Sequence, residues 1–221
     1  RVLVDACTQI RAWSDSVEAG TGLRVAVNIS GRHLQQGDLV ADVRHALEVS
    51  GLDAGDLVIE LTESTIMQNT EVNLERFREL KALGVRLAID DFGMGYSSLS
   101  YLHRFPIDIL KIDRAFVSRL TEHDGGPELA RAVVMLATTL GLETVAEGIE
   151  NEGQVATLLD LGCVAGQGFL FASSSLLDVV AQTPFMARRA DLRAAERAAQ
   201  SDLTATGRFR AAELWPRSAA G

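Results

Sequence analysis

Short runs of β-branched residues alternate with helical stretches along most of this 221-residue chain, and this alternation constrains the fold more than any other feature. The runs predict strands at Arg24–Ser30, Leu57–Glu63, Val85–Phe92, Ile109–Asp113, Glu143–Ile149 and Cys163–Phe171. Parallel strands need a crossover between them, and a helix usually supplies it. The alternation therefore predicts a parallel α/β fold, with an open sheet and a barrel both compatible.

The helical stretches show apolar residues at a spacing of three and four. An amphipathic helix opens the chain and runs to about Ser16, and further helices are predicted at Asp38–Ser50, Glu71–Leu83, Ser97–Arg104, Pro127–Leu140 and Glu152–Leu161. We expect residues 1–182 to form one domain. Residues 183–221 are polar towards their end and interrupted by Gly207 and Pro216, so we expect a C-terminal helix or tail there.

Charge and composition narrow the class of protein. The net charge is −9, which argues against a protein that coats polymeric nucleic acid or an anionic membrane. No apolar stretch approaches the roughly 20 residues that a bilayer span needs. Cys7 and Cys163 cannot form a disulfide scaffold, and we expect two buried, reduced thiols in a cytoplasmic protein.

Polar residues fall at the carboxyl ends of the predicted strands. At one strand, a salt bridge or a helix cap would explain them. The whole series points to one crevice, because parallel strands bring their carboxyl ends to the same edge. The series is Asn28, Glu60 with Glu63, Asp90 with Asp91, Lys111 with Asp113, Glu147 with Glu150, and Gln167.

Converging carboxylates repel one another unless a cation neutralises them. Oxygen donors without His or Cys favour Mg²⁺ or Mn²⁺ over zinc. Asp90 and Asp91 could reach two metal ions about 3.5–4 Å apart, an arrangement suited to phosphate ester hydrolysis. Lys111 could hold a phosphate oxygen or a metal-bound water, and an ordinary buried ion pair is the alternative. The glycine-containing segment from Phe92 to Ser98 is predicted to be a mobile loop over this site.

Six strings of residues together resemble the EAL family of bacterial cyclic di-GMP phosphodiesterases. They occur in the family's order over residues 1–172 and are VNIS at Val27–Ser30, ELTES at Glu60–Ser64, DDFGMGYSSLSYL at Asp90–Leu102, LKID at Leu110–Asp113, VAEGIE at Val145–Glu150 and GQGFLF at Gly166–Phe171. The resemblance implies a TIM-like (β/α) barrel whose C-terminal face binds two Mg²⁺ or Mn²⁺ ions and one cyclic di-GMP. It also implies attack by metal-activated water to give linear pGpG.

The resemblance assigns a role to each polar residue of the series. Metal ligands would be Asn28, Glu60, Asp90, Asp91 and Glu147. Lys111, Asp91 and Glu147 would be catalytic, with Glu147 alternatively a general base. Asp113 and Gln167 would contact substrate, whereas Glu63 and Glu150 would fix the mobile loop and the site geometry.

The sequence also departs from the family pattern. The Glu-Ala-Leu motif and its nearby Arg are absent, so we expect a chain truncated at its N-terminus, with about six of eight strands and an inactive site. Met94 replaces a small loop residue. Ala172-Ser173-Ser174 replaces a Gly-Arg-Pro-like turn and is expected to loosen the rim near Gln167.

Two other functions remain open at the level of sequence. One is a non-catalytic EAL module that binds cyclic di-GMP or a protein partner, although the preserved metal-ligand set favours an enzyme. The other is a TIM-barrel metalloenzyme acting on a different phosphodiester. Upstream of Arg1 the parent could carry a diguanylate cyclase-like, sensory or membrane-tethering module, and a homodimer is a further candidate assembly.

Overall fold

A computed structural model describes residues 1–16, 23–68, 70–93, 102–120, 126–163 and 165–171. Six parallel strands form one sheet in chain order, which confirms the predicted parallel α/β fold. Within the described residues, no ladder joins the last strand back to the first, so the sheet is open. The strands are β1 Val25–Asn28, β2 Leu57–Thr62, β3 Arg86–Phe92, β4 Ile109–Ile112, β5 Glu143–Ala146 and β6 Ala165–Gly166.

Helices connect the strands, as crossovers between parallel strands require. They are α1 Val2–Ser16, α2 Gly31–Gln36, α3 Leu39–Ser50, α4 Glu63–Met67, α5 Thr70–Ala82, α6 Arg114–Val117, α7 Gly126–Leu140 and α8 Glu152–Leu161, with a 3₁₀ turn at Ala54–Asp56. Among the described residues, no helix combines the length and apolar character that crossing a bilayer requires.

Two unequal apolar clusters distinguish a barrel from a sheet covered equally on both faces. The large cluster joins strand residues such as Leu57, Leu87 and Leu110 to helix residues such as Leu34 and Phe77. The small cluster contains only strand residues, namely Val58, Ala88, Ile109 and the partly buried Val145. The helices therefore pack on one face of the sheet, while the other face has its own lining layer, as in an incomplete TIM-like barrel.

Several predicted boundaries are wrong. Glu63 begins α4 instead of ending β2, and Asp113 caps α6 instead of ending β4. The predicted strand Glu143–Ile149 ends at Ala146, and the one predicted at Cys163–Phe171 is reduced to Ala165–Gly166. Short helices α2, α4 and α6 were not predicted, because four to six residues are too few to show an apolar period.

Two predicted segments lie largely or wholly outside the described residues. Of the helix predicted at Ser97–Arg104, only residues 102–104 are described, and the predicted loop over the site is described only to Gly93. The predicted C-terminal appendage, residues 183–221, is not described at all. Cys7 and Cys163 are both buried thiols, as expected, and burial raises the pKa of Cys7.

Candidate active site

The two-residue period of a strand places one charged residue on the lining face of each of four neighbouring strands. The small apolar layer contains Val58, Ala88, Ile109 and Val145. Two residues further along each chain segment, the same face carries Glu60, Asp90, Lys111 and Glu147. The apolar layer of Val58, Ala88, Ile109 and Val145 lies below the charged layer. The charged layer places ionisable groups at the carboxyl ends of the strands.

Lys111 is the centre of this charged layer. Its Nζ lies 2.9 Å from Glu60 Oε2 and 3.2 Å from Asp90 Oδ1, and it also pairs with Glu147 Oε1. The Lys111 side chain is 5% exposed. Burial would lower the pKa of Lys111, but hydrogen bonds and attraction to Glu147 and Glu60 outweigh burial and raise it. The amine is therefore a fixed ammonium at neutral pH.

Glu147 follows β5 and faces Lys111. Burial raises its pKa, the bond to Lys111 opposes that shift, and the charges of Asp90 and Glu60 add to it. Glu147 Oε1 also accepts a hydrogen bond from Gln167 Nε2 at 2.9 Å. The structure thus brings the predicted substrate contact Gln167, from beyond β6, directly to the predicted catalytic carboxylate.

A β-bulge explains how adjacent Asp90 and Asp91 both serve the same end of the sheet. Between paired residues, β3 advances from Ile89 to Phe92 while β4 advances only from Leu110 to Ile112, so β3 contains one extra residue. Asp91 has φ +55°, a left-handed conformation that Asp tolerates better than most residues. The bulge breaks the strict alternation that would otherwise send the two carboxylates to opposite faces.

Asp91 lies beside Asp113, the residue that follows β4. Partial burial raises the pKa of Asp91, with further contributions from the charge of Asp90 and from the charge and hydrogen bond of Asp113. Asp113 Oδ1 accepts a hydrogen bond from Ala115 N at 2.7 Å and so caps α6. Asp113 therefore has a structural partner as well as a place next to the predicted catalytic group.

Asn28 lies on β1 and Glu63 on α4. Asn28 ends β1, is exposed, and is in register with Glu60 on β2. Glu63 is buried at the start of α4, where its Oε2 accepts a hydrogen bond from Gly93 N at 3.0 Å. Glu63 thus holds the first residue after β3, and its predicted contact to the rest of the loop lies outside the described residues.

Glu150 does not join the cluster around Lys111. It is exposed and pairs with Arg114 Nη2 at 2.5 Å. Its backbone N–H is held by the buried Gln154, whose Oε1 lies 2.8 Å away. Arg114 and Gln154 carry only a weak signal in the sequence, namely one Arg after a strand and one Gln in the first turn of a helix, and neither is among the predicted site residues.

The donor set fits hard divalent ions, since the cluster offers carboxylate oxygens and neither His nor Cys. Within the described parts of the chain, however, no group of three acidic, His or Cys side chains has the arrangement of a ready metal site. Glu60, Asp90 and Glu147 instead gather around the Lys111 ammonium. The chemistry of the ligands therefore fits hard divalent ions, while Lys111 supplies the positive charge in this arrangement.

Comparisons with known proteins identify a family and several relatives. The EAL domain family model matches residues 1–174. MucR of Pseudomonas aeruginosa, a bifunctional diguanylate cyclase/cyclic di-GMP phosphodiesterase, is 44% identical over 169 residues, which cover 76% of this chain and 24% of MucR. The chain thus spans about a quarter of the length of this curated relative.

Solved structures show the same fold. The MucR phosphodiesterase in complex with c-di-GMP matches with a TM-score of 0.73 and 43% identity, over 78% of this chain and 69% of that one. The EAL domain of Mycobacterium smegmatis DcpA matches with a TM-score of 0.76 and 39% identity, over 81% and 80%. A manganese/c-di-GMP complex of Klebsiella pneumoniae BlrP1 matches with a TM-score of 0.68 and 29% identity, over 80% and 45%.

Proposed function

Because this chain belongs to the EAL domain family, we propose that it supplies most of the active site of a cyclic di-GMP phosphodiesterase that forms linear pGpG with Mg²⁺ or Mn²⁺. The observation that carries this proposal is the convergence of Glu60, Asp90 and Glu147 on Lys111 at the carboxyl ends of four strands. Two of the similar solved structures are complexes with c-di-GMP, which supports cyclic di-GMP as the substrate.

Each residue of the site has a proposed role. Divalent ions supply Lewis-acid activation of water and neutralise charge on the phosphodiester. The residues that would hold the ions are Asn28, Glu60, Asp90, Asp91 and Glu147. Asp113 and Gln167 would contact the dinucleotide, and Glu63 and Glu150 would fix the geometry of the loops.

Lys111 acts as a hydrogen-bond donor in this proposal. An ammonium whose pKa is raised cannot take a proton from water at neutral pH, but it can donate to a phosphate oxygen or to the attacking water. Glu147 is the alternative proton acceptor if it does not hold an ion, because burial raises its pKa. Gln167 orients that carboxylate through its 2.9 Å hydrogen bond.

The test is hydrolysis of cyclic di-GMP by a form of the protein in which two further strands close the barrel. We expect pGpG to form with Mg²⁺ or Mn²⁺ and the rate to fall with Ca²⁺, which is larger and less strict in its geometry. Excess chelator serves as the blank. Undiminished turnover in chelator would rule out the metal-dependent mechanism.

A receptor that binds cyclic di-GMP without hydrolysing it is the second candidate. Its basis is that Asp113 and Gln167 would contact the dinucleotide whether or not water attacks it. Titration calorimetry with cyclic di-GMP, followed by analysis of the recovered nucleotide, separates the two candidates. Recovery of intact dinucleotide from the closed-barrel form with Mn²⁺ would favour the receptor.

The organisation of the longer protein is also a proposal. We assign residues 1–182 to the EAL unit and residues 183–221 to an appended segment. The bifunctional activity named for MucR supports a diguanylate cyclase-like or sensory module elsewhere in the same protein. We also propose that this part of the protein lies in the cytoplasm and forms a homodimer.

A further inference from the structure

The short helix α6 lies beside both loops that carry predicted catalytic carboxylates. Its N-cap, Asp113, ties it to the carboxyl end of β4. Two of its side chains reach glycines: Phe116 reaches Gly93, after β3, and Arg114 reaches Gly148, after β5. The proposed function assigns no role to either of these side chains.

Phe116 supports the backbone that follows Asp91. Gly93 has φ +96°, and a Cβ at this position would lie 2.8 Å from Phe116 Cζ and 3.0 Å from Cε2. The Gly93 backbone therefore rests directly on the ring. On its other side, the Gly93 N–H donates to Glu63 Oε2 at 3.0 Å. The chain leaving the bulge is thus held between a ring and a carboxylate.

Arg114 supports the backbone that follows Glu147. Gly148 has φ +67°, and a Cβ there would lie 2.8 Å from both Cβ and Cδ of Arg114. The guanidinium continues past Gly148 to Glu150. Because Arg114 and Glu150 are 62% and 45% exposed, the ion pair alone contributes little. The close packing of the Arg114 stem on Gly148 is the stronger constraint.

We propose that α6 is a spacer that fixes Asp91 relative to Glu147, with Phe116 and Arg114 as positioning residues. The inference rests on the proposed function, because the distance between Asp91 and Glu147 matters only if both carboxylates take part in catalysis. Truncating Phe116 should free the loop after β3, and truncating Arg114 should free the loop after β5. Arg114 is exposed, and Phe116 is only partly buried against the main core, so we expect a modest loss of stability and no rearrangement of the sheet.

Hydrogen exchange, resolved by residue with NMR, tests the contacts in the closed-barrel form. We expect Phe116→Ala to speed exchange of the Gly93 amide at least tenfold relative to amides in β4, and Arg114→Ala to do so for the Glu150 amide. Phe116→Leu and Arg114→Lys should restore most of the protection. Val117→Ala is the matched control: Val117 is on the same helix but fully buried in the core, so it should lower stability without singling out either loop.

Steady-state kinetics on the closed-barrel form test whether α6 affects catalysis. Phe116→Ala and Arg114→Ala should each lower kcat for cyclic di-GMP at least tenfold with KM within about threefold, while Val117→Ala, assayed well below its Tm, should keep kcat. Equal effects of Val117→Ala, or unchanged Gly93 and Glu150 exchange in the truncated variants, would overturn the spacer. An inactive wild type would instead refute the proposed function, and the exchange data would still decide whether α6 holds the two loops.

Discussion

Lys111 is bound on three sides by carboxylates, so its removal has consequences for stability as well as activity. Lys111→Met leaves Glu60, Asp90 and Glu147 without the ammonium that now contacts all three. Breaking a buried ion pair by deleting one partner typically costs roughly 3–5 kcal/mol. We expect a loss of that order at pH 7, measured by urea unfolding without divalent ions.

The pH dependence distinguishes this effect from simple loss of packing. In the wild type the raised Lys111 pKa stabilises the fold at all pH values below the unfolded-state value, so the contribution is complete at pH 7. In Lys111→Met, Glu147 loses the bond that opposes its raised pKa, so protonation of Glu147 as the pH falls below 7 should recover part of the lost stability. Lys81→Met is the control, because the Lys81–Asp108 pair at 2.7 Å is partly exposed. An equal loss in both variants would contradict the central role of Lys111.

Asp91 and Glu147 should affect the rate far more than the stability of the fold. Asp91→Asn and Glu147→Gln each remove a charge with little change in volume, so we expect a fall in turnover of at least two decades in the closed-barrel form, each decade being about 1.36 kcal/mol. The measurement is pGpG formation with Mn²⁺, with circular dichroism as the folding control. A variant that keeps more than about a tenth of the wild-type rate shows that its residue is not catalytic.

Without metal, the same Asp91→Asn change should stabilise the protein. Because the pKa of Asp91 is raised, the folded state binds the proton more tightly than the unfolded state does. Asp91 therefore lowers the free energy of unfolding increasingly as the pH rises above its pKa in the unfolded state. We expect Tm at pH 7 to rise by roughly 1–2 °C, the size of a surface charge effect. The gain should disappear near pH 3, where Asp91 is protonated in both states.

At the scale of elements, sequence patterns predicted the long helices and the middle strands but not the short connections at the site. Strand β2 is an uninterrupted apolar run before its acids, so its position is clear. Helices α4 and α6 depend on single caps, Thr62 and Asp113, and a cap alone does not separate a helix from a turn. The β3 bulge has no sequence period either, because it depends on pairing with β4.

Helix α8 allows a clean test of an element away from the charged cluster. Asn151 Oδ1 accepts from Gln154 N at 3.0 Å, and Gln154 Oε1 accepts from Asn151 N at 3.2 Å, which completes a capping box. Asn151→Ala should cost about 1 kcal/mol, or roughly 2–4 °C in Tm for a domain of this size. The exposed Glu48→Ala on α3 is the control and should stay within about 0.5 kcal/mol. Equal shifts in the two variants would mean that the cap contributes nothing.

At the scale of the whole molecule, the structure brings some of the residues from separate motif strings into contact, and these contacts depend on how the strands pair. Lys111 and Glu147 were expected in one crevice, but their direct pairing depends on the side-chain period of two adjacent strands. Glu150 was expected nearby and instead faces Arg114. No pattern within one segment could predict that contact, since it joins residues 36 positions apart.

The open sheet leads to the last prediction. Strands β1 and β6 each have one partner within the described residues, so each presents an edge of backbone groups that a closed barrel would pair. The face of the sheet that carries Lys111 and its carboxylates is bordered by six strands, and no strand covers the gap between β1 and β6 within the described residues. We expect the 221-residue chain on its own to self-associate and to form little pGpG even with ample Mn²⁺. Adding two parallel strands between β1 and β6 should restore both a monodisperse particle and turnover, measured by light scattering and by nucleotide chromatography. Full metal-dependent hydrolysis by the chain alone would show that six strands suffice and that the unpaired edges do not limit the site.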